Sequence, residues 1–270
     1  MSDSEKTFVV TSTEQLWKGS TRRGFLKMLG IGGTIVLAPG LFEACDSYNQ
    51  VAPGGPSGAA SLNLSNDTGI LNYAYALEQL EAAFYTAVVG SSTFSSLNAE
   101  QQEVMVDLRN HEVIHREFLK AALGSSAIGS LSFNSTAVAS TLTSAAVILK
   151  NAQAFEDLGV SAYNGAGKYL KDAGYLTLAG KIVSVEARHA AAIRDIRDAL
   201  GIRGATAAGT SFAGDDVVAP SGASQGLDVK NEPSTVLATV GSTGLLATNV
   251  TISAGPNGTA TPDAPPPPTP

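Results

Sequence analysis

The chain has 270 residues, a sequence pI of about 4.9 and a formal net charge of −7. Basic residues form no patch beyond the N-terminal segment, which argues against nucleic-acid binding. Its single cysteine, Cys45, excludes an intrachain disulfide and any cysteine-based metal cluster.

Residues 1–45 have the organisation of a signal peptide. Residues 21–27 read Thr-Arg-Arg-Gly-Phe-Leu-Lys, an apolar stretch follows to about Phe42, and small Ala44 precedes the cysteine. A charged region, an apolar core and a small-residue end are typical of an export signal, and the paired arginines resemble the twin-arginine signal. We therefore expect export by the twin-arginine route to the periplasm or cell envelope. The alternative is a basic segment ahead of a buried helix.

Cys45 is a candidate for lipidation because it stands where the signal ends. The segment 41–45 resembles a bacterial lipoprotein box at Ala44 and departs from it at Phe42 and Glu43. A lipid on this cysteine would anchor the protein to a membrane surface without spanning it. The alternative is ordinary cleavage nearby, which leaves Cys45 removed or free. No other apolar run reaches the ~18 residues of a spanning helix.

Residues 46–65 are rich in Gly, Pro and Ser and predict a flexible tether. A first helix is predicted from about Asp67, a plausible N-cap, to Gly90. A second opens with a capping-box pattern at residues 98–101 and ends at Gly124. Its predicted apolar stripe consists of Val104, Leu108, Ile114, Phe118 and Leu119.

A third helix is predicted from about Ser135, through Tyr163, to about Leu170. The fourth is predicted from Tyr175 to Leu200 and closes at Gly201. Its solvent face is predicted to carry Arg194, Asp195, Arg197 and Asp198. Residues 202–270, rich in Gly, Ala, Thr, Ser and Pro, predict a low-complexity, mostly extended or disordered tail. Within it, residues 233–246 are compatible with a short helix or a short strand.

Acidic motifs alternate along these four helices. Glu78 and Tyr85 lie on the first, Glu112-x-x-His115 on the second, Glu156 and Tyr163 on the third, and Glu186-x-x-His189 on the fourth. An i, i+3 spacing places a carboxylate and an imidazole on one helix face. The pattern repeats as two similar helix hairpins, which predicts a pseudo-twofold axis. Four carboxylates and two imidazoles facing one interior form the ligand set of a carboxylate-bridged di-metal bundle.

The free-energy cost of burying charged groups favours a metal site in such an interior. Burying several glutamates without partners is expensive, and a pair of divalent cations removes that penalty. Carboxylate and imidazole ligands suit iron or manganese, with zinc as a further option. The alternative is a bundle whose polar groups are solvated or hydrogen-bonded without metal. The Glu-x-x-His spacing is not the zincin His-Glu-x-x-His, so a metalloprotease is not supported.

Several neighbouring residues have more than one possible role at the site. Glu81 is one turn beyond Glu78 and could replace or supplement it. His111, beside Glu112, is expected to be exposed or to contact the ligands from outside. Asp157 is expected to point away from Glu156. Tyr85 and Tyr163 are expected to donate hydrogen bonds to ligating carboxylates, or else to be plain core aromatics.

The segments LNYAYALEQLEAAFY, EVIHREFL, AFEDLGVSAYNGA and VEARHAAAIR resemble the ferritin-like superfamily over residues 66–201. Within it they are similar to exported proteins grouped with plant desiccation-related proteins. The resemblance implies an all-α four-helix bundle with a di-metal site in its core. Glu112 and Glu186 would bridge two metals, His115 and His189 would each ligate one, and Glu78 and Glu156 would be terminal ligands.

The resemblance also implies chemistry with oxygen or peroxide at two iron ions, or at manganese. Members of the superfamily store iron, reduce peroxide or oxidise metals. The chain shows no clear fifth helix to organise a cage and no rubredoxin-like cysteine domain, so an electron donor would be a separate protein. A homodimer is one possible assembly.

Two functions follow from these expectations. The first is an exported di-iron oxidoreductase of the ferroxidase or peroxidase type, which consumes oxygen or peroxide or oxidises and sequesters ferrous iron. The second is a non-catalytic envelope protein that serves in stress or desiccation protection.

Overall fold

A computed structural model describes residues 59–199, 216–219 and 221–256. The predicted leader, Cys45 and the predicted helix end at Leu200 and Gly201 lie outside the described residues. Six α-helices and two strands are described: β1 Ala60–Asn63, α1 Asp67–Gly90, α2 Ala99–Leu123, α3 Ser135–Ser140, α4 Ala145–Ala166, α5 Ala173–Ala199, α6 Pro233–Ser242 and β2 Val250–Ala254.

Four of these helices make the bundle. Helix α1 packs mainly on α2 and α4 packs mainly on α5, so the chain forms two helix hairpins in sequence. The largest apolar cluster joins both hairpins through side chains such as Leu77, Met105 and Ile193. The predicted all-α four-helix bundle is therefore confirmed.

Capping residues explain where α1 and α2 begin. The side chain of Asn98 accepts from Gln101 N while Gln101 Oε1 accepts from Asn98 N, which is the predicted capping box. For α1 the predicted cap is wrong by one residue, because Asn66 accepts from Gly69 N. The carboxylate of Asp67 instead accepts backbone N–H groups of Lys171 and Asp172, which ties α1 to the start of α5.

The predicted third helix is two helices. Helix α3 ends at Ser140, and α4 begins after Ser144, whose side chain caps it by accepting from Val147 N. Serine favours caps because its hydroxyl competes for backbone groups inside a helix. The α4 helix still carries Glu156 and Tyr163 to the level of the site.

Three predicted exposures are corrected. Ile114, predicted in the apolar stripe of α2, is 62% exposed. Arg194 and Arg197, predicted on the solvent face of α5, are buried. Arg194 donates to both carboxylate oxygens of Asp157, at 3.1 and 2.6 Å, so this charge is buried with a partner.

The two ends of the described chain meet. Strand β1, which the sequence placed in the flexible tether, pairs in parallel with β2, which it placed in the tail, and Ala60 lies opposite Val250. The undecided segment 233–246 contains helix α6, whose Val236 and Val240 are buried in the core. These parts of the tether and tail are thus ordered elements of the fold.

The segment before α6 packs tightly on α4. Asn231 N donates to Ser161 O at 2.9 Å, and a Cβ added at Gly165 would lie 1.8 Å from Asn231 O. The missing side chain at Gly165 is what allows this approach. Within the described residues, none of the helices has the length and apolar character needed to cross a bilayer.

Candidate metal centre

The six side chains predicted as ligands meet in the bundle core. Helix α1 supplies Glu78, α2 supplies Glu112 and His115, α4 supplies Glu156, and α5 supplies Glu186 and His189. All four glutamates have no solvent exposure, and both imidazoles are largely buried. Four separate helices thus place carboxylate and imidazole groups at one level.

The ligand atoms form two groups. In the first, His115 Nδ1 lies 3.5 Å from Glu78 Oε2, 3.3 Å from Glu112 Oε2 and 2.9 Å from Glu186 Oε1. Each of these four residues offers one atom within 4.8 Å of the others. Such a cluster has the size of a single cation site with nitrogen and oxygen donors.

The second group mirrors the first. His189 Nδ1 lies 2.8 Å from Glu112 Oε1, 3.2 Å from Glu156 Oε2 and 3.6 Å from Glu186 Oε2. Glu112 and Glu186 therefore belong to both groups, and each turns one oxygen toward each imidazole. This arrangement would allow both carboxylates to bridge two cations.

Several of these atoms are close to one another without bonding. His189 Nδ1 and Glu112 Oε1 are 2.8 Å apart, yet both lack a hydrogen bond of acceptable geometry. The same holds for both carboxylate oxygens of Glu186 and for one oxygen each of Glu78 and Glu156. Buried polar atoms in native proteins normally have partners. Atoms that converge without pairing fit a site whose common partner is a cation.

Electrostatics point the same way. Burial, reinforced by neighbouring carboxylates, raises the pKa values of Glu78 and Glu156 well above the usual range. Burial also opposes charge on Glu112, but its contacts with the two imidazoles outweigh burial and lower its pKa to about 2. Burial lowers the imidazole pKa values, but the carboxylates outweigh it and raise those of His115 and His189 to about 12. Cations would therefore enter by displacing protons.

Two tyrosines cross between the hairpins. Tyr163 OH on α4 donates to Glu78 Oε1 on α1 at 2.5 Å, and Tyr85 OH on α1 donates to Glu156 Oε1 on α4. Each hydroxyl thereby occupies the oxygen that faces away from the ligand group, which leaves the other oxygen free to bind a cation. The exchange of partners is the pseudo-twofold relation that the sequence repeat predicted.

One pair of positions breaks this symmetry. Counterparts on α1 and α4 are 78 residues apart (156 − 78 and 163 − 85), so Glu81 corresponds to Gly159. A Cβ added at Gly159 would lie 3.0 Å from Glu81 Oε1. Glu81 therefore extends into space that its counterpart leaves empty. It is buried, burial raises its pKa well above the usual range, and it lies outside both ligand groups.

His111 contacts the centre from the surface. Its Nδ1 lies 2.9 Å from His189 Nε2, and the two rings stack with centroids 5.2 Å apart. With Nδ1 of His189 directed to the carboxylates, its Nε2–H can donate to His111. The sequence placed His111 beside a ligand, but it could not show that its partner lies on α5, 78 residues away.

The donor set is compatible with first-row divalent metal ions. Oxygen and imidazole nitrogen donors without thiolate suit iron or manganese, and the unpartnered buried atoms could supply coordination positions. This cluster can therefore hold metal through Glu78, Glu112, His115, Glu156, Glu186 and His189.

Comparison with known proteins agrees with this architecture. The family model described as a ferritin-like domain matches residues 66–199. A search of curated proteins gave no significant match. Through this domain, the chain belongs to the ferritin-like superfamily.

Proposed function

We propose that this protein is a di-iron carboxylate protein that reacts with oxygen or peroxide, or that oxidises ferrous iron. Manganese is the alternative metal. The proposal assigns Glu112 and Glu186 as ligands shared by two metals, His115 and His189 as one ligand for each, and Glu78 and Glu156 as the terminal carboxylates.

The observation that carries the proposal is the sharing of two buried carboxylates between two ligand groups. Glu112 and Glu186 each present one oxygen to each imidazole. A single-metal site has no use for a second set of donors, and an isolated buried carboxylate costs several kcal/mol. Two cations would make use of all four carboxylates and both imidazoles.

Iron bound here would supply one-electron redox chemistry with oxygen or peroxide. The chain itself contributes position and environment. Tyr85 and Tyr163 fix the terminal carboxylates through hydrogen bonds, and His111 fixes the ring of His189. Supporting hydrogen bonds of this kind orient ligands and adjust their basicity. Burial of the glutamates excludes bulk water from the centre.

We propose export by the twin-arginine route on the basis of residues 1–45. Replacing Arg22 and Arg23 together by Lys should retain the protein in the cytoplasm, as cell fractionation would show. Replacing Cys45 by Ala tests the lipid anchor separately, because it should release the exported protein from the membrane fraction. An unchanged distribution in the first case removes the export route, and in the second it removes the anchor.

The test of function begins with metal content. We expect close to two iron ions per chain, by elemental mass spectrometry, after anaerobic loading with ferrous iron and desalting. Stopped-flow absorbance should then show oxidation of the bound iron on mixing with oxygen or peroxide, faster than the oxidation of the same amount of free ferrous iron in the presence of the Glu186→Gln variant. Two irons with no faster oxidation would favour the non-catalytic protective role. Metal well below one per chain would indicate a metal-free scaffold.

A further inference from the structure

An apolar cavity lies between the bundle helices, one helical turn from the ligand level, and it is partly open to the surface. It has a volume of about 20 Å³, and almost no polar atom faces its interior. A site needs roughly 10–15 Å³ to hold one water-sized molecule. The cavity therefore has room for one very small molecule.

All four bundle helices contribute walls beside a candidate ligand. Ala74 precedes Glu78 by four residues, Leu119 follows His115 by four, and Ile182 precedes Glu186 by four. One turn of helix spans about 5.4 Å. Tyr163 lines the cavity and also donates its hydroxyl to Glu78 Oε1 at 2.5 Å. A single side chain thus connects the cavity wall to the ligand group.

The lining selects the chemistry of an occupant. Water and hydrogen peroxide each need several hydrogen-bond partners, and an apolar wall supplies none, so the wall favours an apolar guest over a polar one. Dioxygen is apolar, diatomic and small enough for the volume.

We propose that this cavity is a dioxygen-binding pocket that supplies the metal centre from the side of Tyr163 and Glu78. This proposal rests on the proposed function, and it specifies dioxygen as the reactant that enters by this side. Peroxide, being polar, reaches the centre elsewhere.

Xenon is the probe for the pocket itself, because it occupies dry apolar cavities without needing metal. Crystals of the full protein under xenon pressure should show one xenon atom between Ala74, Leu119 and Ile182. Ala122→Leu and Ala179→Leu fill the cavity from two different helices, and both should lose the xenon. Ala121→Leu is the matched control, since Ala121 is the exposed neighbour of Ala122 on α2, and it should keep it.

The role is tested on the iron-loaded protein. In the filled variants the oxidation rate at limiting oxygen should fall severalfold, while iron content and the rate with hydrogen peroxide stay at the values of the Ala121→Leu control. Absence of xenon from the wild-type cavity overturns the proposal. A filled cavity that raises thermal stability and leaves the oxygen rate unchanged also overturns it, because that is the behaviour of a plain packing void. If the wild type binds no iron, the proposed function fails, whereas the xenon result still decides whether the pocket exists.

Discussion

Comparison of the Glu186→Gln and Glu78→Gln variants distinguishes a carboxylate that is shared by two cations from one that binds a single cation. Glu186 lies in both ligand groups, with Oε1 2.9 Å from His115 Nδ1 and Oε2 3.6 Å from His189 Nδ1. Gln keeps the shape but removes the negative charge and one oxygen donor, so we expect both cations to be lost. Glu78 lies in one group alone, and Glu78→Gln should therefore weaken one cation position.

The size of the effect follows from linkage. At a metal concentration 100 times Kd, each bound ion stabilises the folded state by about 2.7 kcal/mol, so two ions give about 5 kcal/mol. For a domain of this size, 1 kcal/mol shifts Tm by about 2–4 °C. We therefore expect metal to raise the wild-type Tm by roughly 10–20 °C, the Glu78→Gln Tm by about half as much, and the Glu186→Gln Tm hardly at all.

Calorimetry with and without Mn²⁺, which is stable in air, measures these gains, and elemental analysis counts the ions. Glu103→Gln is the control, because Glu103 is exposed on the same helix as Glu112, and it should show the full gain. Retention of two metals and of the wild-type gain in Tm by Glu186→Gln would refute the assignment of Glu186 as a metal ligand. Equal partial losses in the Glu186 and Glu78 variants would refute the shared-ligand assignment in particular.

Three further outcomes are expected. Tyr163→Phe should lower the free energy of unfolding of the metal-loaded protein by about 1.5–3 kcal/mol, since it removes a buried hydrogen bond to a charged group. Tyr85→Phe should have a similar effect, and both are measured by denaturant unfolding. No loss of stability in either variant would show that the hydroxyls do not hold the carboxylates. The Tm of the metal-free protein should fall as pH rises from 5 to 9. The carboxyls with raised pKa values stay protonated only in the folded state, and the stability that the imidazoles contribute is lost between pH 6.5 and 12. A metal-free Tm that rises over this interval would contradict these pKa shifts. Gly165→Ala should destabilise the fold by about 1–3 kcal/mol and expose residues 228–232 to limited proteolysis, because the added Cβ would overlap Asn231 O. Gly180→Ala, where no atom lies within 4 Å of the new Cβ, is the control and should be neutral or stabilising. Equal behaviour of the two variants would count against the close approach of Asn231 to Gly165.

Local spacing was enough to predict that six polar side chains meet. Glu112 and His115 lie on one face of a helix because of the helical period alone, and the second hairpin repeats that rule. The comparison of the four motifs along the chain, together with the family resemblance, then predicted that they meet in one bundle core. What the sequence could not predict depends on long-range packing.

Arg194 illustrates this limit. Its position on α5 beside other charges indicated a solvated face, but the structure buries it against Asp157 on α4 and Asp216. The pairing of β1 with β2 likewise joins two distant segments of low-complexity composition, and no local pattern identifies one as the partner of the other. His111 reaches His189 only after the hairpins have packed. Each of these features lies in contacts between distant segments rather than in any local pattern.

The parallel pairing of β1 with β2 also sets the timing of folding. Ala60 can pair only after Val250 has been made, about 190 residues later in the chain (250 − 60). Each helix hairpin, in contrast, forms from neighbouring segments. Contacts of such long range form late, and at 5–20 residues per second a ribosome needs roughly 10–40 s to make that stretch. During this interval the edge of β1 has no partner. A nascent chain that stops short of residue 250 can therefore fold its helices but not close its ends, and its open strand edge makes it prone to aggregation.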